Sequence, residues 1–303
     1  MNKQTIINYA KSVAILACLL LNGCGGNSAS KAAVFVDVET YTSNGIAAYA
    51  NSKWNQAQNY FSKALELYQG IDHQEGILLS YINLAEVSLS QHNYHESKQY
   101  LTLAAAIAND DLLQNYRPRI NLLYALIALQ QKQLMEAETI LQKILPTFEG
   151  VMAVSIPNTI QLAAIASQTK IAFLKKQDES LWTHRYENSL EKAANKNTDR
   201  KARLLRFQAS LLLQQGEEKK AEAKMQQALA LYKQNVSRQG IAVTLLELAR
   251  HYQTKQHWQE ARDYLKRSKA VYNFLGDNEK VKLITEILTQ VTNITQNELS
   301  TKN

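Results

Sequence analysis

Residues 45–65, GIAAYANSKWNQAQNYFSKAL, decide the fold, because they contain two apolar helical patterns on either side of a short polar turn. The turn is Asn51-Ser52-Lys53. After it, small and aromatic residues recur at spacings of three and four: Trp54, Ala57, Phe61 and Ala64. This spacing places their side chains on one face of a helix. The stretch therefore predicts a helical hairpin.

The small residue of the second helix recurs along most of the chain. It is found at Ala57, Ser97, Ala137, Ala221 and Ala261. Neighbouring members are 40 residues apart, except that 84 residues separate Ala137 from Ala221. This gap fits two steps of 40 with four extra residues, so we expect one degenerate repeat within it. Because a hairpin cannot bury its apolar face alone, such copies stack into a solenoid.

The first helices follow the same interval, with small residues at Gly45, Ala85, Ala125, Ala209 and Ala249. In the fourth copy, a step of 40 from Ala125 falls on Ile165, which is not small. We therefore assign Ala172 to this position, since it lies six residues before a polar turn at Asp178. This assignment places the extra residues before Ala172, around residues 146–157. The turns of the regular hairpins are expected at polar residues: Asn51, Gln91, Gln131, Gln215 and Lys255.

The pattern resembles the tetratricopeptide repeat (TPR) family, in which aromatic, leucine and small residues occupy fixed positions on a helix pair. The second and sixth copies carry the resemblance best: Tyr81, Leu84, Ala85, Tyr94, Leu101 and Ala104, then Leu245, Leu248, Ala249, Tyr252, Trp258, Ala261 and Leu265. The period of 40 exceeds the family's period of about 34 and resembles that of extended TPR variants. The resemblance implies an all-α, right-handed superhelical solenoid of about six hairpins over residues 38–291. Its last helix, from Asn278 to about Val291, would be a C-terminal cap, and residues 292–303 would be a flexible tail.

Residues 1–23 have the composition of a secretory signal. Lys3 and Lys11 form a basic start. The apolar core that follows, residues 12–21, is shorter than the roughly 20 residues of a membrane span. Leu21-Asn22-Gly23-Cys24 then resembles the bacterial lipobox. The resemblance implies cleavage before Cys24 and acylation of that cysteine, with palmitate as one acyl group. An uncleaved anchor or a chance match is the alternative.

By the same resemblance to bacterial lipoproteins, in which the residue after the cysteine decides sorting, Gly25 implies the outer membrane, with the protein facing the periplasm. Residues 24–37 would then form the lipidated tether. The net charge of +7 falls to +5 without residues 1–23, which contain two lysines and no acid. Such a modest excess in the periplasm makes nucleic acid an unsuitable partner.

The sequence offers little chemistry. Cys18 would leave with the signal and Cys24 would carry lipid, so no free thiol would remain. There is no glycine-rich phosphate loop, Gly-x-Ser-x-Gly elbow or His-Glu-x-x-His motif. The nearest approach to a metal pair, His92 and His95, is better explained as two surface histidines. We therefore expect no enzyme activity, no catalytic residue, no metal and no cofactor.

The TPR resemblance implies that the first helices line a concave groove. The residues expected there are Tyr49, Glu86, Leu126, Leu129, Arg203, Arg206, Arg250 and Gln253. This groove would be apolar in its middle and basic toward its C-terminal end. It loosely resembles the arrangement by which some TPR domains hold a peptide carboxylate, since guanidinium groups suit carboxylates. The alternative is that the arginines form a solvated face.

Taken together, these features favour an outer-membrane-anchored, non-catalytic scaffold that grips a segment of a protein partner in the cell envelope. Lipoproteins of this architecture suggest three routes: pilus or secretion pilotins, adaptors of peptidoglycan hydrolases, and components of outer-membrane assembly. A periplasmic protein that binds free peptides or cell-wall fragments is the alternative. The sequence does not indicate an oligomeric state.

Overall fold

In a computed structural model of the protein, residues 33–149, 159–192 and 197–300 are described, and within these ranges the chain is helical with no strand. Twelve helices pair in order into six hairpins: α1 (Ala33–Ala50) with α2 (Trp54–Gly70), α3 (Gln74–Ser90) with α4 (Tyr94–Ile107), α5 (Arg117–Gln130) with α6 (Leu134–Glu149), α7 (Thr159–Leu174) with α8 (Ser180–Lys192), α9 (Thr198–Gln214) with α10 (Glu218–Gln234), and α11 (Arg238–Thr254) with α12 (Trp258–Leu275). A short 3-10 helix, Gln114–Tyr116, precedes α5, and α13 (Asn278–Ser300) packs on α12. The all-α solenoid predicted from the sequence is confirmed.

The predicted signal peptide, Cys24 and residues 150–157 lie outside the described residues, so the structure leaves those predictions as they stand. At the two ends the helices are longer than expected. Helix α1 begins at Ala33 instead of Val38, and α13 continues to Ser300 instead of ending near Val291. Neither added segment contains glycine or proline. Nothing in their sequence therefore stops the helix.

Each hairpin turns through one residue in the left-handed conformation. These residues are Ser52, His92, Lys132, Lys176, Gly216 and Gln256. In the five regular hairpins, this residue directly follows the polar residue that the sequence predicts for the turn. In the second hairpin, for example, the amide of His92 donates to the carbonyl of Leu89 and that of Asn93 to the carbonyl of Ser88. This pair of bonds satisfies the last carbonyls of α3 and fixes the direction in which the next helix starts.

The spacing of these turns corrects the frame of the fourth hairpin. The six left-handed residues follow one another at steps of 40, 40, 44, 40 and 40, so the four-residue surplus lies between Lys132 and Lys176. Counting back from Lys176, the residue equivalent to Ala209 is Thr169, and the assignment of Ala172 is wrong. Thr169 is fully buried, and its hydroxyl donates to the carbonyl of Ile165 at 3.1 Å. A satisfied threonine therefore takes the place of the usual small apolar residue.

The fourth turn is also longer than the others. In the regular hairpins, the first backbone hydrogen bond of the second helix runs from the amide of its small residue to the carbonyl of the residue that follows the left-handed one. In the fifth hairpin, for example, the amide of Ala221 donates to the carbonyl of Glu217. In the fourth, the equivalent bond runs from the amide of Thr183 to the carbonyl of Glu179, two residues later. Asp178 therefore lies later in its turn than the polar residues of the regular hairpins do. Counting six residues back from Asp178 for this reason gave Ala172 instead of Thr169.

Small residues lie where the two helices of a hairpin cross. A Cβ added to Gly45 would meet the ring of Phe61 at 2.5 Å, closer than any real contact. Its counterparts Ala85, Ala125, Ala209 and Ala249 are all buried. The close approach of the helices therefore requires the repeated small residue.

Candidate functional site

The first helices of the hairpins form the inner wall of the solenoid. Among the described residues, α3 contacts α5, α5 contacts α7 and α9 contacts α11, whereas second helices of neighbouring hairpins show no comparable contact. In a curved stack, the helices on the inner side are the more closely spaced ones. The inner wall, called the channel below, is therefore lined by α1, α3, α5, α7, α9 and α11.

Polar contacts link the first three of these helices. The hydroxyls of Tyr49 and Ser90 share a hydrogen bond of 3.0 Å between α1 and α3. Arg119 on α5 reaches back to α3, where it donates to Glu86 at 3.0 Å and to Asn83 at 3.1 Å. Burial, and next the charge of Glu86, raise the pKa of Tyr49. At this end of the channel the predicted residues Tyr49 and Glu86 thus lie together.

These residues border a pocket of about 390 Å³ between the first three hairpins. Its lining combines apolar side chains with the polar ones just described: Ile46, Phe61, Leu79, Tyr49, Glu86 and Arg119. Because Arg119 and Glu86 neutralise each other, this end of the channel carries little net charge. It is suited to an uncharged side chain.

The middle of the channel is less open than the sequence suggests. Leu126 is half-buried and packs against the core on both sides of α5. Leu129 is only 6% exposed and belongs to the core between α5, α6 and α7. Its side chain therefore contributes to packing and offers almost no surface to a ligand.

A basic cluster lies at the C-terminal half of the channel. Arg206 on α9 is held by Glu247 on α11: its Nε donates to one carboxylate oxygen at 2.7 Å and a terminal nitrogen donates to the other. Although burial opposes the charge of Arg206, the charge of Glu247 outweighs it and raises the pKa of the guanidinium further. A paired fork of this kind fixes the orientation of both side chains.

Lys170 on α7 is the second member of the cluster. Its side chain is accessible to solvent within the channel, but protein surrounds it on most sides. Enclosure lowers the pKa of Lys170, and the positive charges of Lys280, Arg206 and Arg203 lower it further, against the opposing charge of Glu247. Such mutual influence requires these side chains to lie near one another.

Arg250 completes the cluster. It is exposed on α11. Burial, and next the charges of Asp277 and Glu247, raise the pKa of the buried Tyr272, whereas Arg206 and Arg250 lower it, so these charged groups lie near one another. The predicted residues Arg203, Arg206 and Arg250 are thus brought together, whereas Gln253 lies half-buried nearer the end of α11. Helices α7, α9, α11 and α13 together contribute five cations, opposed by Glu247 and, beside Tyr272 and Lys280, by Asp277.

Lys170 and Lys280 were not predicted as channel residues from the sequence. Lys170 lies six residues before its left-handed turn residue, at the same repeat position as three predicted channel residues, Glu86, Leu126 and Arg250. Lys170 was not predicted because the frame assigned to the fourth hairpin was wrong. It lies 80 residues, or two repeats, before Arg250, so the correct frame places it in the channel. Lys280 belongs to the cap, which no repeat pattern covers.

The described residues contain no group of three or more histidine, cysteine or acidic side chains that could hold a metal ion. In the same part of the chain, no helix combines the length and apolarity needed to cross a membrane. What the channel can do chemically is to hold a negatively charged group, since its cations exceed its acids and lie in an enclosed space.

Comparison with known proteins supports the fold. Residues 38–110 match the tetratricopeptide repeat family. No curated protein matches the sequence. Residues 38–110 are therefore tetratricopeptide repeats, and the described part of the chain as a whole has the fold of a TPR solenoid.

Three solved structures are similar in fold. A Rap protein complexed with Competence and Sporulation Factor is 13% identical with a TM-score of 0.61, over 87% of this chain and 77% of that chain. The Cut9–Hcn1 hetero-tetramer of the APC/C is 17% identical with a TM-score of 0.56, over 82% of this chain and 42% of that one.

A signal transduction ATPase with numerous domains and a tetratricopeptide repeat sensor, from Pyrococcus horikoshii, is 14% identical with a TM-score of 0.53, over 76% of this chain and 34% of that one. The protein thus spans less than half the length of this ATPase and of the Cut9–Hcn1 chain.

Proposed function

We propose that the protein is a non-catalytic interaction scaffold whose channel grips an extended, acidic segment of a protein partner. The observation that carries this proposal is the basic cluster. Four of its cations come from four separate helices: Lys170, Arg203, Arg250 and Lys280. In the part of the chain that the structure describes, no acidic side chain lies within ion-pair distance of these four, whereas Arg206 is paired with Glu247. Charges of one sign kept close together cost free energy in the empty protein. An incoming carboxylate relieves that cost and so gains affinity and orientation.

The rest of the channel suits such a segment. The pocket at the N-terminal end, whose two charges form a pair, and the basic cluster at the other end define a direction along the channel. A segment with an apolar residue toward one end and acidic residues toward the other would match both. The fold is consistent with this role, since TPR repeats build interaction surfaces.

We further propose that the chain is anchored by lipid on Cys24 to the outer membrane, facing the periplasm. The support is the sequence of residues 1–24, with its basic start, apolar core and Leu-Asn-Gly-Cys end. Confinement to a membrane raises the effective concentration of any partner in the same membrane. The partner would then belong to envelope assembly: a pilus or secretion machine, a peptidoglycan hydrolase, or the outer-membrane assembly machinery.

The channel is tested by crosslinking followed by pull-down of the full-length protein from its own envelope. The test variant changes Lys170, Arg203 and Arg250 to glutamate, and leaves Arg206 alone because it is paired with Glu247. The matched control changes Lys219, Lys233 and Lys266, three exposed lysines on second helices, to glutamate. We expect one partner to be recovered with the native and control proteins and lost with the channel variant. Loss with both variants, or with neither, would reject the channel as the site.

The anchor is tested separately by metabolic labelling with palmitate. Cys24→Ala should abolish labelling and release the protein from the membrane fraction, while Cys18→Ala should change neither. Labelling that survives in the Cys24→Ala variant would contradict the proposed anchor without affecting the channel.

A second candidate is a periplasmic protein that binds free peptides. The enclosed channel with its basic end favours it, because a short peptide would reach both ends of the site. Acidic peptides that saturate the channel and displace no protein partner would support this alternative over the scaffold.

A further inference from the structure

The two ends of the solenoid touch each other. The indole Nε1 of Trp54, at the start of α2, donates to the carbonyl of Leu275, at the end of α12, at 3.3 Å. These residues are 221 positions apart in the sequence. The Trp54 ring packs both against the core of the first hairpins and against that of the last. The stack of hairpins therefore curves far enough to close on itself.

A second contact lies beside the first and is ionic. His92, in the turn between α3 and α4, places Nε2 at 3.2 Å from Oδ2 of Asp277, in the connection between α12 and α13. The other ring nitrogen of His92 shares a 2.8 Å hydrogen bond with the hydroxyl of Tyr94. Asp277 is 6% exposed, and its Oδ1 accepts from the amide of Lys280 at 2.9 Å. The imidazole of His92 and the carboxylate of Asp277 are thus each oriented by a second hydrogen bond.

The charges around this pair favour a protonated histidine. Asp277 and Glu279 approach His92 from the C-terminal end, with Lys280 as the opposing cation, and Tyr94 faces it from α4. The hydrogen bond to Asp277, outweighing partial burial, raises the pKa of His92. Burial opposes the ionised form of Asp277, but the hydrogen bonds from His92 and the Lys280 amide outweigh it and lower the pKa of Asp277.

We propose that His92 and Asp277 form a proton-dependent latch that closes the two ends of the solenoid around the channel. The latch holds when His92 is protonated and Asp277 is ionised. It weakens as the pH rises through the pKa of His92 in the closed form, because the neutral ring loses its charge attraction. It weakens again at strongly acidic pH, where Asp277 takes up a proton. The latch is inferred from these contacts alone and does not rest on the function proposed for the channel.

The test measures the distance between the two ends by pulsed electron spin resonance. Spin labels are placed at Gln56→Cys and Lys282→Cys, two exposed positions on either side of the contact, in the full-length chain with Cys18 and Cys24 changed to serine. Distances are recorded at about pH 5.5 and about pH 8.5, either side of the ordinary histidine pKa of about 6.5. We expect one short, narrow distribution at the lower pH and a shift to longer, broader distances at the higher pH.

The His92→Asn variant separates the latch from a general effect of pH. Asparagine tolerates the left-handed backbone of His92 but cannot reach Asp277 or gain a proton. It should show the long distances at both pH values, and so should Asp277→Asn, which keeps the helix cap of α13. The control, His95→Asn, changes an exposed histidine on α4 and should behave as the native chain does. A native distribution that is the same at both pH values, or a His92→Asn variant that still responds, would overturn the proposal.

Discussion

Arg206 occupies a repeat position that is apolar and buried in four other hairpins. The equivalent residues, ten positions before each left-handed turn residue, are Ile82, Leu122, Ala166 and Leu246. An arginine there can keep its charge only with a partner, and Glu247 supplies it through two hydrogen bonds. The helical phase of Arg206 on α9 is therefore predictable from the sequence, but its pairing with a residue 41 positions away is not.

The Arg206–Glu247 pair gives the first prediction at the scale of single residues. Arg206→Ala should lower the free energy of unfolding by about 3 kcal/mol, because it leaves a partly buried carboxylate unpaired. The double change Arg206→Leu with Glu247→Leu should cost less than this single change, because leucine fills the same position in the third and sixth hairpins. Urea unfolding of the native protein and of these two variants measures both effects. A double variant that is less stable than Arg206→Ala would contradict this expectation, because it would show that leucine cannot replace the ion pair.

Glu179 gives the second prediction. It is fully buried, and its Oε1 accepts from Ser210 at 2.6 Å and from Gln214 at 2.9 Å. Burial raises the pKa of Glu179, so its contribution to stability is fully present at low pH and is lost as the pH rises through the raised value. Glu179→Gln should therefore be more stable than the native protein at neutral pH, and this advantage should vanish near pH 4. Denaturation at several pH values tests this, with exposed Glu191→Gln on α8 as the control; equal pH profiles for native and Glu179→Gln would refute it.

At the scale of helices and turns, the sequence predicts most of the structure because each hairpin repeats one local rule. A left-handed turn residue recurs in all six copies, and in five of them a small residue lies at the helix crossing seven positions before it. The fourth hairpin escaped prediction because Thr169 replaces the small apolar residue and its turn is two residues longer. The misplaced frame then hid Lys170, a member of the basic cluster.

The turn residue gives a prediction at this scale. Gly216 has a φ of +76°, and the equivalent Lys132 has a φ of +61°. Gly216→Ala should cost about 1 kcal/mol of unfolding free energy, and Lys132→Gly should gain about as much, because only glycine adopts this conformation without strain. Gly70→Ala is the control: it lies in a helix with nothing within 4 Å of an added Cβ, so it should be mildly stabilising. Thermal unfolding measures all three, and a stabilising Gly216→Ala would contradict this account of the turns.

At the scale of the whole molecule, the charge distribution and the closure of the solenoid lie beyond any local pattern. The contact of Trp54 with Leu275 depends on the small rotation between hairpins, summed over all six of them. No short stretch of sequence fixes that sum. Lys280 lies beside the channel cations because α13 follows this curvature, so the repeat pattern could predict Arg203, Arg206 and Arg250 in the channel but not the fifth cation.

The most direct test of the central claim, that the channel is the binding surface, is site-specific photo-crosslinking in the living cell. A photoreactive benzoylphenylalanine is introduced in place of Arg250, which faces the channel, or in place of Lys266, which is exposed on α12. We predict a partner adduct of higher mass from position 250 and none from position 266. An adduct from position 266 alone, or equal adducts from both, would contradict the claim and place the partner on the outer face of the solenoid.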